Sequence, residues 1–187
     1  MEENYRLYRN IKFKAGLLYQ DFIVDLCWQT IGLAIVQYVS EEYQKTVGES
    51  RTGAEIKFDE KYGETHNLWI ETKEKSHPQG GRNGEYVPSG INRGDNSWLY
   101  IIGNYDTVYI FQKTILQILS HDHQIRENNT KTSLGFLLKK SEAIIYAGII
   151  LNPNARQKIS KIANDLSLLG KELHRLIKEN PNQMSLF

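Results

Sequence analysis

The sequence predicts an α/β fold in which helices flank a mixed central β-sheet. Three observations predict it: an apolar stripe at helical spacing near the start, several short apolar runs in the middle, and a second helical stripe near the end. The 187 residues suffice for one domain with a hydrophobic core, which we place at residues 1–180, followed by a tail at 181–187.

Composition and charge exclude several classes of protein. With 40% hydrophobic and 24% charged residues, the chain resembles ordinary globular proteins. No apolar run reaches the roughly 20 residues that cross a bilayer, and the charged N-terminus lacks the apolar segment of a secretory signal, so no membrane partner is expected. Cys27 is the only cysteine, which excludes an internal disulfide and favours a cytoplasmic location. The net charge is +1, so affinity for nucleic acid would need a local patch or a metal ion.

The first elements are a long helix and two strands. From about Gly16 to Val47 apolar residues keep helical spacing without a proline, and Cys27 within this helix is expected to be core. Its predicted buried stripe is Leu18, Phe22, Leu26, Ile31, Ile35 and Val39. "AEIKFDE" (54–60) alternates apolar and polar residues, and "NLWIETKEK" (67–75) favours a strand. We therefore predict an antiparallel hairpin around "KYGETH".

A loop, further strands and two helices follow. Residues 76–96 hold five glycines and two prolines, which predicts a mobile loop that serves as a lid or an insertion. "SWLYIIG" and "TVYIFQ" are predicted strands, "KTILQILSH" a short helix, and "LGFLLKK" and "EAIIYAGIIL" a last pair of strands. A final helix is predicted from Asn154 to Glu179.

The register of the predicted hairpin decides which charged side chains share a face. If paired residue numbers sum to an even value, Asp59 lies on the same face as Glu71 and Lys73, whereas an odd register separates them. In the first arrangement two carboxylates are adjacent, and they repel each other unless they share a proton or hold a cation. A Mg²⁺ ion takes oxygen ligands, polarises a phosphate and lowers the pKa of bound water.

At these residues the sequence resembles the PD-(D/E)xK nuclease superfamily, which has the restriction-endonuclease-like fold. The family motif is an acid ending one strand, a hairpin, and acid-x-lysine on the next strand, here Asp59 in "EIKFD" and Glu71-Thr72-Lys73 in "IETK". The core order of that family, a helix, three strands, a helix and a strand, is similar to residues 16–150. The resemblance implies that Asp59, Glu71 and the Thr72 carbonyl bind Mg²⁺ (or Mn²⁺), with Lys73 assisting the attacking water.

Several positions around this motif stay open. The resemblance implies a further acid from the first helix, for which Asp21 and Asp25 are the candidates. Phe58 stands where the family has proline, and the residues that offer alternative acid and lysine positions are Lys57, Glu74 and Lys75. Alternating Glu and Lys also occur on solvent-facing strands, where cross-strand ion pairs add little stability.

The resemblance implies a DNA nuclease, with a non-catalytic DNA- or clamp-binding accessory protein as the alternative. Arg82 and Arg93, in the glycine-rich loop, are candidates for gripping a DNA strand. Cutting both strands of a duplex would favour a homodimer.

The last five residues, "QMSLF", resemble the peptide with which bacterial DNA-processing proteins bind the sliding clamp. The matching residues are Gln183, Met184, Ser185, Leu186 and Phe187. Leu186 and Phe187 would be the apolar anchors in a partner's pocket. The alternative is that the tail folds back onto its own core.

Overall fold

A computed structural model of the chain describes residues 2–76, 84–154, 167–168 and 171, without the side chains of residues 2–10, Glu41 and Lys45. The chain divides into two units, Met1–Leu151 and Asn152–Phe187. The second unit is described at a few helical positions, so the predicted helix to Glu179 lies largely outside the described residues, and the tail lies wholly outside them. The domain boundary at residue 180 therefore stays a prediction.

The described elements of the first unit alternate between helices and strands. The helices are α1 (Glu2–Ile31), α2 (Glu41–Thr46), α3 (Tyr62–Thr65), α4 (Lys113–Leu119) and α5 (Lys140–Tyr146), with a 3-10 helix at Gly90–Asn92. The strands are β1 (Ala54–Phe58), β2 (Asn67–Ser76), β3 (Glu85–Pro88), β4 (Leu99–Gly103), β5 (Val108–Gln112), β6 (Arg126–Glu127), β7 (Ser133–Lys139) and β8 (Ile149–Leu151). None of the described helices is long and apolar enough to cross a membrane.

The α/β class is confirmed, but the strands form two sheets instead of one central sheet. The first sheet has the order β1-β4-β5-β8, with β1 parallel to β4 and the other pairs antiparallel. The second sheet, β3-β2-β7-β6, is antiparallel throughout.

Two apolar clusters lie on opposite faces of the first sheet. Tyr100 and Ile102 of β4 pack with residues of β2 and β7, so one cluster fills the space between the sheets. Tyr19, Ile23 and Cys27 of α1 pack against the other face, which confirms Cys27 as a core residue. Burial on both faces explains why β4 and β5 are continuous apolar runs.

The predicted hairpin of residues 54–60 and 67–75 is wrong. β1 pairs with β4 in the first sheet, whereas β2 pairs with β3 and β7 in the second. "KYGETH" forms α3, and His66 after it adopts a left-handed conformation with φ of 54°, so the chain crosses from one sheet to the other. Local alternation identified both strands, but their partners lie far away in the sequence.

The first predicted helix has the wrong end and the wrong buried face. α1 ends at Ile31, and Gly32 (φ 67°) follows it, a common way to terminate a helix. Leu18 is 64% exposed, because the buried residues of α1 repeat every four positions from Tyr19. Val39 is 100% exposed and lies beyond the end of α1. Of the rest of the predicted stripe, Ile31 is exposed, Phe22 and Leu26 are half-buried, and Ile35 is buried.

Two further predictions fail in part. Within the predicted mobile loop, β3 and the 3-10 helix are regular and Ile91 is fully buried, while residues 77–83 lie outside the described part of the chain. "EAIIYAGIIL" is helix α5 followed by β8, because the Glu142 carboxylate accepts the N–H of Lys139 at 3.0 Å and starts a helix there.

Candidate active site

A cavity of about 510 Å³ lies against α1, β1, β2 and β4. Its charged lining residues are Lys12, Glu49, Lys57, Asp59, Glu60, Lys61 and Glu71. Asp59 and Glu71, the two carboxylates of the predicted motif, both line this cavity.

Asp59 comes directly after β1, and its carboxylate connects the two sheets. Oδ2 accepts the N–H of Trp69 in β2 at 2.8 Å, and Oδ1 accepts the N–H of Lys61 at 3.1 Å. Burial raises the pKa of Asp59, and these backbone bonds oppose that rise. Both oxygens thus already hold backbone groups in place, although a carboxylate can accept further bonds.

Glu71 is half-buried in β2, two residues beyond the Trp69 amide that Asp59 holds. Its Oε1 accepts the hydroxyl of Ser89 at 2.9 Å. Burial raises the pKa of Glu71, while the nearby Lys57 ammonium and the Ser89 bond lower it. The net rise means that the negative charge on Glu71 is incompletely compensated, so an added cation would be favoured there.

Lys57 in β1 is one of three lysines that line the cavity, with Lys12 and Lys61. Its Nζ lies 3.0 Å from Oε1 of Glu55 and 3.6 Å from Oε1 of Glu49. Burial alone would lower the pKa of Lys57, but the carboxylates of Glu55 and Glu49 raise it well above the usual value. Lys57 is therefore a permanent cation beside Glu71 and cannot act as a general base at neutral pH.

Glu49 reaches the cavity from the loop that precedes β1. Its Oε2 accepts the N–H of Ile56 at 3.1 Å, and in the same loop Ser50 Oγ accepts the N–H of Ala54 at 2.8 Å. Since β1 is the edge strand of its sheet, these side chains occupy amides that point away from β4.

A chain of buried charged residues leads from Lys57 through Glu55 to Lys113 and Asp95. Glu55 is opposite Tyr100 in the register of β1 with β4. Its Oε2 lies 3.8 Å from Nζ of Lys113. Lys113 in turn donates to Oδ1 of Asp95 at 2.9 Å and to Oγ of Ser97 at 2.6 Å. The side chains of Glu55, Asp95 and Lys113 are 1%, 1% and 5% exposed.

Some buried polar atoms near the cavity have no hydrogen-bond partner among the described residues. They include the hydroxyl of Tyr100, which lines the cavity, and both carboxylate oxygens of Glu55, which form ion pairs with the ammonium groups of Lys57 and Lys113. The cavity is lined by four carboxylates (Glu49, Asp59, Glu60 and Glu71) and by three ammonium groups (Lys12, Lys57 and Lys61), which leaves one negative charge. This chemistry fits a divalent cation.

The described residues contain no group of three or more acid, histidine or cysteine side chains close enough to hold a metal ion together. A divalent ion in this cavity would therefore take two carboxylates from the protein and water for its remaining ligands, as Mg²⁺ commonly does.

Lys73 does not share the cavity with Glu71. It is exposed, and a β-bulge between Glu71 and Lys73 inserts Thr72 into β2 without a partner in β7. The Thr72 carbonyl, expected as a metal ligand, accepts the N–H of Ser89 at 3.1 Å. The chemical roles assigned to Lys73 and Thr72 stay predictions.

The other predicted site residues lie elsewhere. Asp21 and Asp25 are exposed on α1, which instead presents Lys12, Gly16 and Gln20 to the cavity. Arg93 forms an ion pair with Asp95 at 3.4 Å and donates to the carbonyl of Gln44, so the fold already engages its guanidinium. Arg82 lies outside the described residues.

Sequence reasoning gave Glu49 no role and kept Lys57 only as an alternative. A signal for Lys57 was present, because Glu55-Ile56-Lys57 repeats the acid-x-lysine spacing of residues 71–73 in a strand with buried neighbours. Glu49 offered no such signal, since its position depends on the return of a loop alongside β1.

No protein family, curated protein or solved structure compared with this chain matches it.

Proposed function

We propose that the chain is a divalent-metal-dependent DNA nuclease that hydrolyses phosphodiester bonds in this cavity. The observation that carries the proposal is the convergence of Glu49, Asp59, Glu71 and the Lys57 ammonium on one cavity. The implied cofactor is Mg²⁺ or Mn²⁺. Glu71 and Glu49 are the carboxylates that would hold it, since both lie near Lys57 and have fewer backbone bonds to keep than Asp59.

Each side chain then has a role that follows from its surroundings. A bound metal ion would polarise the phosphate and lower the pKa of a water ligand. Lys57, held protonated by Glu49 and Glu55, stabilises the negative charge that develops on the phosphate oxygens. Asp59 positions β2 through the Trp69 amide and so keeps Glu71 in the cavity.

The proposal differs from the family motif in its lysine, which allows a direct test. Plasmid and oligonucleotide substrates are incubated with Mg²⁺ and with wild type, Lys57→Met or Lys73→Met, the last being a matched control on the exposed part of β2. We expect Lys57→Met to lose about 100-fold or more in rate, as for removal of one transition-state donor. Lys73→Met is expected to remain within about twofold of wild type, because its side chain is exposed outside the cavity.

Three results would change the assignment. If Lys73→Met loses cleavage and Lys57→Met retains it, Lys73 is the lysine that assists the reaction, as the family motif implies. Retention of cleavage in a folded Glu71→Gln variant would remove Glu71 from the reaction. No cleavage of any DNA form by wild type, with Mg²⁺ or Mn²⁺, would contradict the nuclease proposal.

A second candidate is a non-catalytic accessory protein that binds DNA or the sliding clamp. The observation that favours it is the exposed position of Lys73, together with the absence of a three-acid group among the described residues. Deletion of residues 183–187 is expected to abolish capture by the clamp. Undiminished capture of the truncated chain would exclude that role for the tail.

A further inference from the structure

The cavity has apolar walls that neither a phosphate nor a metal ion requires. Ile56, Phe58, Trp69, Tyr100 and Ile102 line it together with the charged residues. Its volume of about 510 Å³ is within the range of sites that enclose small organic ligands. Charged, hydrated groups gain nothing from contact with apolar walls, whereas a flat aromatic base does.

Trp69 is the aromatic residue placed next to the reactive groups. It lies two positions before Glu71 in β2, so the two side chains share one face of the strand, about 7 Å apart along it. Asp59 fixes the Trp69 backbone through its N–H. The indole side chain is half-buried and lines the cavity.

Because Gly135 of β7 has no side chain, the Trp69 indole can lie against the backbone of β7, the strand next to β2. Gly135 is opposite Glu71 in the register, and a Cβ at this glycine would lie 2.9 Å and 3.0 Å from Cζ2 and Cε2 of the indole. Any larger residue would push the ring away. The ring therefore packs against the backbone of β7 at Gly135, which gives a stacking surface support on that side.

We infer that Trp69 stacks against one unpaired nucleobase of the DNA, so that the site takes single-stranded or frayed ends in preference to intact duplex. The inference rests on the proposed function and deepens it. In a duplex both faces of each base are covered by its neighbours, and turning one base out requires it to unstack and unpair. An unpaired base can enter beside Trp69 while its phosphate reaches Glu71 and Lys57.

The test measures binding without cleavage. Fluorescence anisotropy of a labelled single strand and of the matching duplex is recorded with EDTA and, separately, with Ca²⁺. The variants are Trp69→Ala, Trp69→Phe and Trp28→Ala, a matched control because Trp28 is 63% exposed on α1, outside the cavity. Thermal melts check that each variant is folded.

We expect Trp69→Ala to weaken single-strand binding on the order of tenfold, the usual effect of removing one stacking partner. Trp69→Phe and Trp28→Ala are expected to stay within about twofold of wild type, and duplex is expected to bind more weakly than single strand. A series of strands with one abasic position each is expected to contain one strand whose affinity no longer depends on Trp69.

Other outcomes overturn the inference. These are equal losses in Trp69→Ala and Trp28→Ala, equal dependence on Trp69 for duplex and single strand, or no single-strand binding in either buffer. The proposed function fails separately: Trp69-dependent binding without cleavage would leave the stacking site standing, whereas cleavage without Trp69-dependent binding would leave only the hydrolytic site.

Discussion

Replacement of Lys113 by methionine tests the buried charge chain that supports the cavity. Nζ of Lys113 lies 2.9 Å from Asp95 Oδ1, 2.6 Å from Ser97 Oγ, 3.0 Å from the Arg93 carbonyl and 3.8 Å from Glu55 Oε2. Methionine keeps most of the side chain's length and apolar surface. The substitution therefore removes mainly the charge and its hydrogen bonds.

The expected loss follows from what the substitution leaves behind. The carboxylates of Glu55 and Asp95 are each 1% exposed and would remain buried without this cation. Removing one partner of a buried ion pair costs about 3–5 kcal/mol of unfolding free energy. In a chain of this size that corresponds to a fall of about 6–20 °C in Tm.

The assay is urea unfolding followed by circular dichroism, with Lys12→Met as the control. Lys12 forms a surface ion pair with Glu60, and their side chains are 41% and 39% exposed, so its loss is expected to cost less than about 1 kcal/mol. If Lys113→Met loses no more than Lys12→Met, the buried charges do not stabilise the fold as argued.

Three further predictions concern the lining of the cavity and its support. Without added metal ions, Glu71→Gln is expected to raise Tm at about pH 8, and the glutamine still offers an oxygen that accepts the Ser89 hydroxyl. The reason is that burial raises the pKa of Glu71 and so destabilises the folded state when the carboxylate is ionised. Below about pH 4 the carboxyl group is protonated in both the folded and the unfolded chain, so the gain in Tm is expected to vanish. Asp59→Asn is expected to cost about 1–3 kcal/mol in urea unfolding, since its amide nitrogen must face one of two backbone N–H groups; an unchanged midpoint would contradict this. Gly90→Ala is expected to lower Tm and the cleavage rate, because Gly90 has φ of 51° and a Cβ there would lie 2.3 Å from the Glu71 carbonyl oxygen. The control is Gly94→Ala, which should change neither, because a Cβ at Gly94 would have no other atom within 4 Å.

Much of the secondary structure could be predicted because its signals are local. Alternation in residues 54–60 identified β1, since Ala54 and Ile56 face α1 while Glu55 and Lys57 face the other way. The apolar runs of β4 and β5 were equally clear, because both strands are covered on both faces. In such stretches the burial of each residue follows directly from its position in the strand.

The pairing of strands and the choice of lysine could not be predicted, because both depend on distant residues. Nothing within 54–60 identifies β4 as its partner, more than 40 residues later in the sequence. The bulge at Thr72 depends on β7, and it interrupts the period of two that would have kept Lys73 beside Glu71. The motif therefore located two carboxylates of the cavity, Asp59 and Glu71, but not the lysine that lies beside them.

The loop before β1 also bears on how copies of this chain can associate. Ser50 and Glu49 occupy the outward amides of Ala54 and Ile56, so a strand from another molecule cannot extend the first sheet there without displacing them. The Glu49 carboxylate, which lines the cavity, thus also prevents a second molecule from adding a strand to this edge of the sheet. Glu49→Ala would consequently free the Ile56 amide to pair with a strand of a second molecule, so self-association is expected to increase. Under the proposed function the same substitution would also lower the cleavage rate.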